Sequence, residues 1–179
     1  MAMKKLIFIL PLLLFVAAML FLARQNGRNP DVDTFSLLNQ PLPNFSLPDL
    51  AQPQQRVSPA AWRGHAYLLN IWATWCTACA QEHAQLMHMA GEQVPIYGVL
   101  YKDQRSAGLD DLSRRGNPYR QVVDDAAGDL GVDLGVTGAP ETLIVDAHGI
   151  IRDHMDGPID ERIWQQRLRP LLQHWSAQP

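Results

Sequence analysis

The chain has 179 residues, 47% of them hydrophobic, and a formal net charge of -3 at pH 7. The mild acidity and the scattered Lys and Arg residues of the globular part exclude the electrostatic footprint of a nucleic-acid binder. Beyond the N-terminal apolar segment about 150 residues remain, enough for one domain with its own buried core.

Residues 6–23 are apolar throughout, preceded by Lys4 and Lys5 and followed by Arg24 and Arg28. As a helix this run reaches about 27 Å, close to the thickness of a hydrocarbon core. A cleaved signal peptide would place polar residues after a small-residue site, whereas here Val16-Ala17-Ala18 leads into Met19, Leu20, Phe21 and Leu22. The expectation is an uncleaved anchor over 6–23, a cytoplasmic tail over 1–5, a linker over 24–40 and an exported domain over 41–179. Pro30, Pro41, Pro43, Pro48, Pro53 and Pro59 make the tether and its junction with the domain extended or turn-like.

Within the domain, Phe45 and Leu47 alternate as a short strand does, and Ser58-Pro59 reads as an N-cap with proline at the first helical position. The run at 66–73 has the near-continuous apolarity of a strand buried on both faces. A helix is predicted over 76–90, ending at Gly91. Strand 94–101, helix 106–115, strand 121–123 and a turn of helix at 129–134 follow. Strands at 141–146 and 150–155 flank a tight turn at Ala147-His148-Gly149, and an amphipathic helix at 160–175 closes the chain, with a kink predicted at Pro170. Alternating strands and helices, then a hairpin and a last helix, describe an α/β fold, a central mixed sheet with helices on both faces.

Cys76 and Cys79 are the two cysteines of the chain and stand two residues apart at the predicted start of a helix, so they are expected to pair. A disulfide closing so short a loop stabilises by only about 2 kcal/mol, against roughly 4.7 for a hundred-residue loop, so a structural role gains little. The spacing suits exchange instead: one thiolate attacks a partner disulfide and a second sulfur resolves the mixed disulfide. The helix N-terminus favours a thiolate at Cys76, which marks it as the attacking sulfur at the exposed edge and Cys79, a turn further in, as the resolving one. Pro140, after Gly138-Ala139, would present a backbone edge to an extended substrate if its peptide bond were cis; from sequence alone trans is the default.

Other readings of the same residues are weaker. Cys76, Cys79, His83 and His88 have a spacing reminiscent of a zinc or copper site, but on one helix His83 lies two turns from Cys76. A peroxidase would carry threonine three residues before the attacking cysteine, where Ala73 stands. In an anchored scaffold without activity, Trp62, Trp72 and Trp75 would be ordinary aromatics. No metal or organic cofactor is expected.

The segments WATWCTACAQEH, YKD, GNPY, LGVTGAPET and GIIRDHMDG together resemble the membrane-anchored, thioredoxin-like DsbE (CcmG) family of bacterial cytochrome c maturation over most of residues 40–172. The resemblance implies a thioredoxin fold in the periplasm, tethered to the inner membrane, with Cys76 and Cys79 as the redox pair and Pro140 in cis. It implies Glu82 and Glu141 beside the disulfide, and Trp75, Thr77, Ala139 and Pro140 as the surface met by substrate. It also implies a reductant of apocytochrome c or of a cysteine-bearing haem-ligation protein, fed by a membrane thiol-disulfide transporter. A paralogue serving one multihaem cytochrome system and a general periplasmic reductase are the alternatives. Thr77 stands where many members carry proline. Glu82, three residues past Cys79 on one helix face, is placed to take that thiol's proton, the alternative being an ordinary solvated helix-surface glutamate; for Glu141 the alternative is a strand-edge charge.

Overall fold

The computed structural model describes residues 35–177 together with the isolated positions Phe15 and Met19. Among the described residues no helix is long and apolar enough to cross a membrane; the expected anchor at 6–23 lies outside them except for those two positions.

The N-terminal part of the domain forms a two-residue hairpin, β1 Leu47–Pro48 against β2 Arg56–Val57, and a 3-10 turn at Pro59–Trp62. The central sheet then alternates with helices: β3 Tyr67–Trp72, α1 Thr77–Gly91, β4 Ile96–Tyr101, α2 Arg105–Arg115, β5 Gln121–Asp125, α3 Asp129–Asp133, β6 Glu141–Val145 and β7 Ile151–Asp156. Its strand order is β5-β4-β3-β6-β7. The first three run parallel, as helical crossovers require, and β6 and β7 are antiparallel additions. β3 is central and buried at every position, which is why its sequence shows no polar alternation.

Successive β3 residues nonetheless serve opposite layers. Leu68 and Trp72 join the cluster built with Cys76, Cys79 and Leu86 of the α1 side and with Trp164 and Leu168 near the C-terminus. Tyr67, Leu69 and Ile71 join the opposite cluster, covered by Trp62 and by Leu130 of α3. The antiparallel register pairs Asn70 with Thr142 and Ile71 with Glu141, so these two neighbours on β6 look into different layers.

The β6–β7 connection is held by Asp146, whose Oδ1 accepts from the His148 and Ile150 amides, each at 2.9 Å, while Oδ2 accepts from Arg152 Nε at 2.8 Å. Gly149 supplies the positive φ of 84° that this turn needs. The free edge of β7 is strapped by the segment entering the domain: Asn39 N donates to Ile151 O at 2.8 Å and Ile151 N to Gln40 O at 2.9 Å.

Several boundaries differ from expectation for local reasons. The β1 strand pairs with β2, which no apolar run announces. Ser58 precedes a 3-10 turn and its side chain makes no cap bond. Just before the kink predicted at Pro170 the helix carries a π-helical stretch, Trp164–Leu168, between the α-helical pieces α4 Glu161–Ile163 and α5 Arg169–Ser176. Pro170 begins the last piece, where its missing N–H is no loss, and the wider preceding turn takes up the adjustment.

Candidate active site

Cys76 and Cys79 form a disulfide with Cα atoms 5.3 Å apart. Cys76 is the N-cap of α1, with extended φ -90° and ψ 108°, and its Sγ accepts from the Cys79 amide at 3.0 Å. That amide is one of the orphan donors of a helix start, and it favours negative charge on Cys76 once the disulfide opens. The predicted exposed edge is not seen: both cysteines are buried, Cys76 at 4% and Cys79 at 7% exposure, so solvent access does not separate them. The helix end does.

The segment before the cysteines is held from the β4–α2 loop. Asp103 Oδ2 accepts from Thr74 N at 2.6 Å and Thr74 Oγ1 at 2.7 Å, and Trp75 Nε1 donates to Lys102 O at 3.1 Å. Lys102 adopts φ 47°, which turns that carbonyl toward the tryptophan. Trp75 remains 55% exposed, and Thr77 is exposed beside it.

Opposite stands the loop into β6, where the Ala139–Pro140 peptide bond is cis. Ala139 O lies 3.2 Å from Cys76 Sγ. A disulfide sulfur has no proton to give, so this contact becomes a hydrogen bond only when Cys76 is a thiol. Pro140 is buried, and its carbonyl accepts from Gly157 N at 2.9 Å.

Glu82 lies on α1 one turn past Cys79 and is 1% exposed, in the same layer as the disulfide. Its Oε1 accepts from Asn70 Nδ2 at 3.0 Å and its Oε2 from Ile159 N at 2.9 Å. Burial pushes its pKa up to about 7 against these two donors, which favour the charged form. A carboxyl poised there can take or give a proton at neutral pH. Asn70 is itself locked, since Nδ2 also donates to Thr142 Oγ1 at 3.1 Å and Tyr119 Oη donates to Oδ1 at 2.8 Å. Burial, with the Glu82 charge second, raises the Tyr119 phenol well above its ordinary pKa, so its hydroxyl stays a donor. Gly98 makes room for this arrangement: a Cβ there would stand 3.1 Å from both Trp72 Nε1 and the Tyr119 ring.

Glu141 is equally buried but does not join that network. Its Oε1 accepts from Thr137 N at 2.7 Å, Thr137 Oγ1 at 3.1 Å and Gly138 N at 3.0 Å, and its Oε2 lies 2.7 Å from His154 Nε2. Burial alone would raise its pKa, yet His154 and the Thr137 and Gly138 donors outweigh it and hold the carboxyl below its usual range. The resemblance implied two acids beside the disulfide. The sheet gives its disulfide layer to Glu82 and turns Glu141 into the other, where the carboxylate braces the loop before Pro140.

His83 Nε2 lies 3.2 Å from Arg115 O, joining α1 to α2, and among the described residues no group of His, Cys, Asp and Glu is arranged to hold a metal. Asn70, Tyr119, Thr142, Asp103 and His154 were not singled out from the sequence. A signal existed for Asn70, a polar residue inside the buried run 66–73.

A CxxC disulfide capping the first helix after the central strand of a thioredoxin-like sheet, facing a cis-proline loop, defines a thiol:disulfide oxidoreductase. The Redoxin family matches residues 37–166. The thiol:disulfide interchange protein DsbE of Pseudomonas aeruginosa is 40% identical over 177 residues, 99% of this chain and 98% of that protein. DsbE of Escherichia coli K12 is 36% identical over 182 residues, 98% of each. A thiol-disulfide oxidoreductase from Bacteroides fragilis shares the fold with a TM-score of 0.63 at 22% identity, over 74% of this chain and 100% of that one. The chain belongs to the DsbE thiol:disulfide interchange proteins.

Proposed function

We propose that the chain is a reductant of cysteine pairs in apocytochrome c, or in a cysteine-bearing protein of haem ligation, during cytochrome c maturation. It is held by a helix at 6–23 in the bacterial inner membrane, with the tail 1–5 inside and, beyond the linker 24–40, the domain 41–179 in the periplasm. Identity to DsbE proteins over nearly the whole chain, the apolar N-terminal run included, supports this reading. The observation that carries it is the disulfide at the start of α1 facing the Ala139 carbonyl.

In the forward reaction Cys76 thiolate attacks a sulfur of the partner disulfide, forming a mixed disulfide and releasing the partner's other sulfur as a thiolate. Cys79 then loses its proton to the Glu82 carboxylate and attacks Cys76 Sγ. The partner leaves as a dithiol, the Cys76–Cys79 disulfide forms, and two electrons have passed. Trp75 and Thr77 flank the sulfur on one side; on the other, Ala139 and Pro140 offer a backbone edge to an extended segment, braced by Glu141. A membrane thiol-disulfide transporter returns the protein to its dithiol form.

Cys79→Ser removes the resolving sulfur and should leave Cys76 joined to its partner in cells. The expected partner carries a C-x-x-C-H haem-attachment sequence or belongs to the haem-ligation machinery. Capture of a broad set of unrelated secreted proteins would overturn the cytochrome assignment, and recovery of the wild type as a soluble chain beginning near Met19 would overturn the anchor.

A further inference from the structure

A chain of contacts runs from the edge strand β7 to the sulfur of Cys76, and His154 is its outer end. The imidazole Nε2 lies 2.7 Å from Glu141 Oε2. One face of the ring is covered by Phe35, with centroids 4.2 Å apart and planes 14° from parallel. The backbone is fixed as well: Arg167 donates to the His154 carbonyl at 2.9 Å and forks onto the Asp153 carboxylate, both bonds at 3.1 Å. The ring is thus held from its face and from its backbone while its nitrogen meets the carboxylate.

A carboxylate is planar, so a partner that fixes Oε2 also fixes where Oε1 points. On Glu141 that second oxygen gathers Thr137 N, Thr137 Oγ1 and Gly138 N. The next residue, Ala139, sets its carbonyl 3.2 Å from Cys76 Sγ. Rotation of the Glu141 carboxylate would break up to three loop bonds at once, immediately before the peptide bond that faces the reacting sulfur.

We propose that His154 is a positioning residue for disulfide exchange: by fixing the Glu141 carboxylate it holds the 137–140 loop against Cys76 in the form that receives an extended cysteine-bearing segment. This rests on the reading that substrate pairs with that loop. Small dithiols, which need no backbone edge, are indifferent to it.

The test uses the full-length chain and two probes, dithiothreitol and an oxidised Cys-Xaa-Xaa-Cys peptide lacking the histidine of a haem-attachment sequence. His154→Leu should raise KM for the peptide about tenfold, as loss of a charge-assisted hydrogen bond allows, with kcat and the rate of reduction by dithiothreitol within about twofold of wild type. His154→Gln, whose amide reaches Glu141, should recover the wild-type KM within about threefold, whereas the shorter His154→Asn should not. Should the leucine variant fail to fold, the glutamine and asparagine variants decide between them. An unchanged KM, an equal loss on both probes, or glutamine as impaired as asparagine would overturn the positioning role. A wild type that leaves the peptide oxidised would overturn the loop-pairing reading and the role of His154 with it, whereas trapping of unrelated proteins by Cys79→Ser would touch only the cytochrome assignment.

Discussion

Glu82 and Glu141 are both 1% exposed, and their acidities are driven in opposite directions. Glu82 meets two neutral donors, Asn70 Nδ2 and Ile159 N, too few to offset the loss of water. Glu141 meets three loop donors and an imidazole, which more than offset it. Burial alone therefore does not decide what a carboxyl can do; the number and charge of its donors decide whether it is a proton carrier or a fixed anion.

The strongest way to break this contrast is Glu82→Gln, which removes the proton acceptor and keeps the shape. Peptide reduction at pH 7 should fall about 100-fold, and the inflection near neutrality in the pH–rate profile should vanish. An unchanged profile would return Glu82 to a structural role. The same variant has a signature in stability. Because the folded pKa of Glu82, about 7, lies above the ordinary 4.5, ionisation is disfavoured in the folded protein. Stability is therefore full below pH 4.5 and declines as pH rises toward 7, by up to about 3 kcal/mol. Urea midpoints of the glutamine variant should lack this decline. Its gain at pH 8 will be smaller than that figure, since its amide would face the Asn70 Nδ2 donor.

Glu141→Gln sharpens the other side. Its depressed pKa means that its stabilising contribution is present above the ordinary value of 4.5 and is lost as pH falls through the lowered one. The variant should be about 2 kcal/mol less stable at pH 7 in urea unfolding, and its reduction by dithiothreitol should stay within about twofold of wild type. A dithiothreitol rate that falls as far as that of Glu82→Gln would make the two acids equivalent. The smallest effect is expected from Tyr119→Phe, which frees Asn70 to turn its amide away from Glu82. The inflection near neutrality should move upward by less than about half a pH unit, because one of the donors that favours the charged form is loosened. A downward movement would show that Tyr119 acts on Glu82 by some other route.

The sheet and its helices were legible where a continuous apolar run or a stretch without breakers marked them. The run 66–73 announced β3, and the stretch free of glycine and proline after Cys76 announced α1. β2 was not legible, since Arg56–Val57 is a strand only because β1 lies beside it. The π stretch at Trp164–Leu168 escaped because proline marks where a helix must adjust without saying by which device. In the site, the cysteine pair followed from spacing, as did the place of Glu82 on the same helix face; that this face is buried at Glu82 did not, since spacing alone allowed a solvated helix surface. The layer occupied by Glu141 did not: β6 is buried along its whole length, so ETLIV carries no alternation from which to read its faces. His154 was hidden for another reason: the β6–β7 register shifts between Ile144 and Val145, so that Ile151 and Met155 enter opposite layers, and period two along β7 does not tell which face residue 154 shares.

That register gives the turn at Asp146 a reach beyond its own neighbourhood. Side chains on a strand change sides at every step, so a slip of β6 by one residue would exchange Glu141 and Thr142. An anion now bonded to loop amides would face the cysteines, and a hydroxyl would be left with the histidine. Asp146, by bonding two amides of the turn and the Arg152 guanidinium, ties off the far end of the strand, and the pairing with β3 carries the register from Val145 to Glu141 past the shift that β7 makes at Ile144–Val145. The layer that each of these two side chains enters is thus tied to a turn whose residues meet neither sulfur nor the proposed substrate edge.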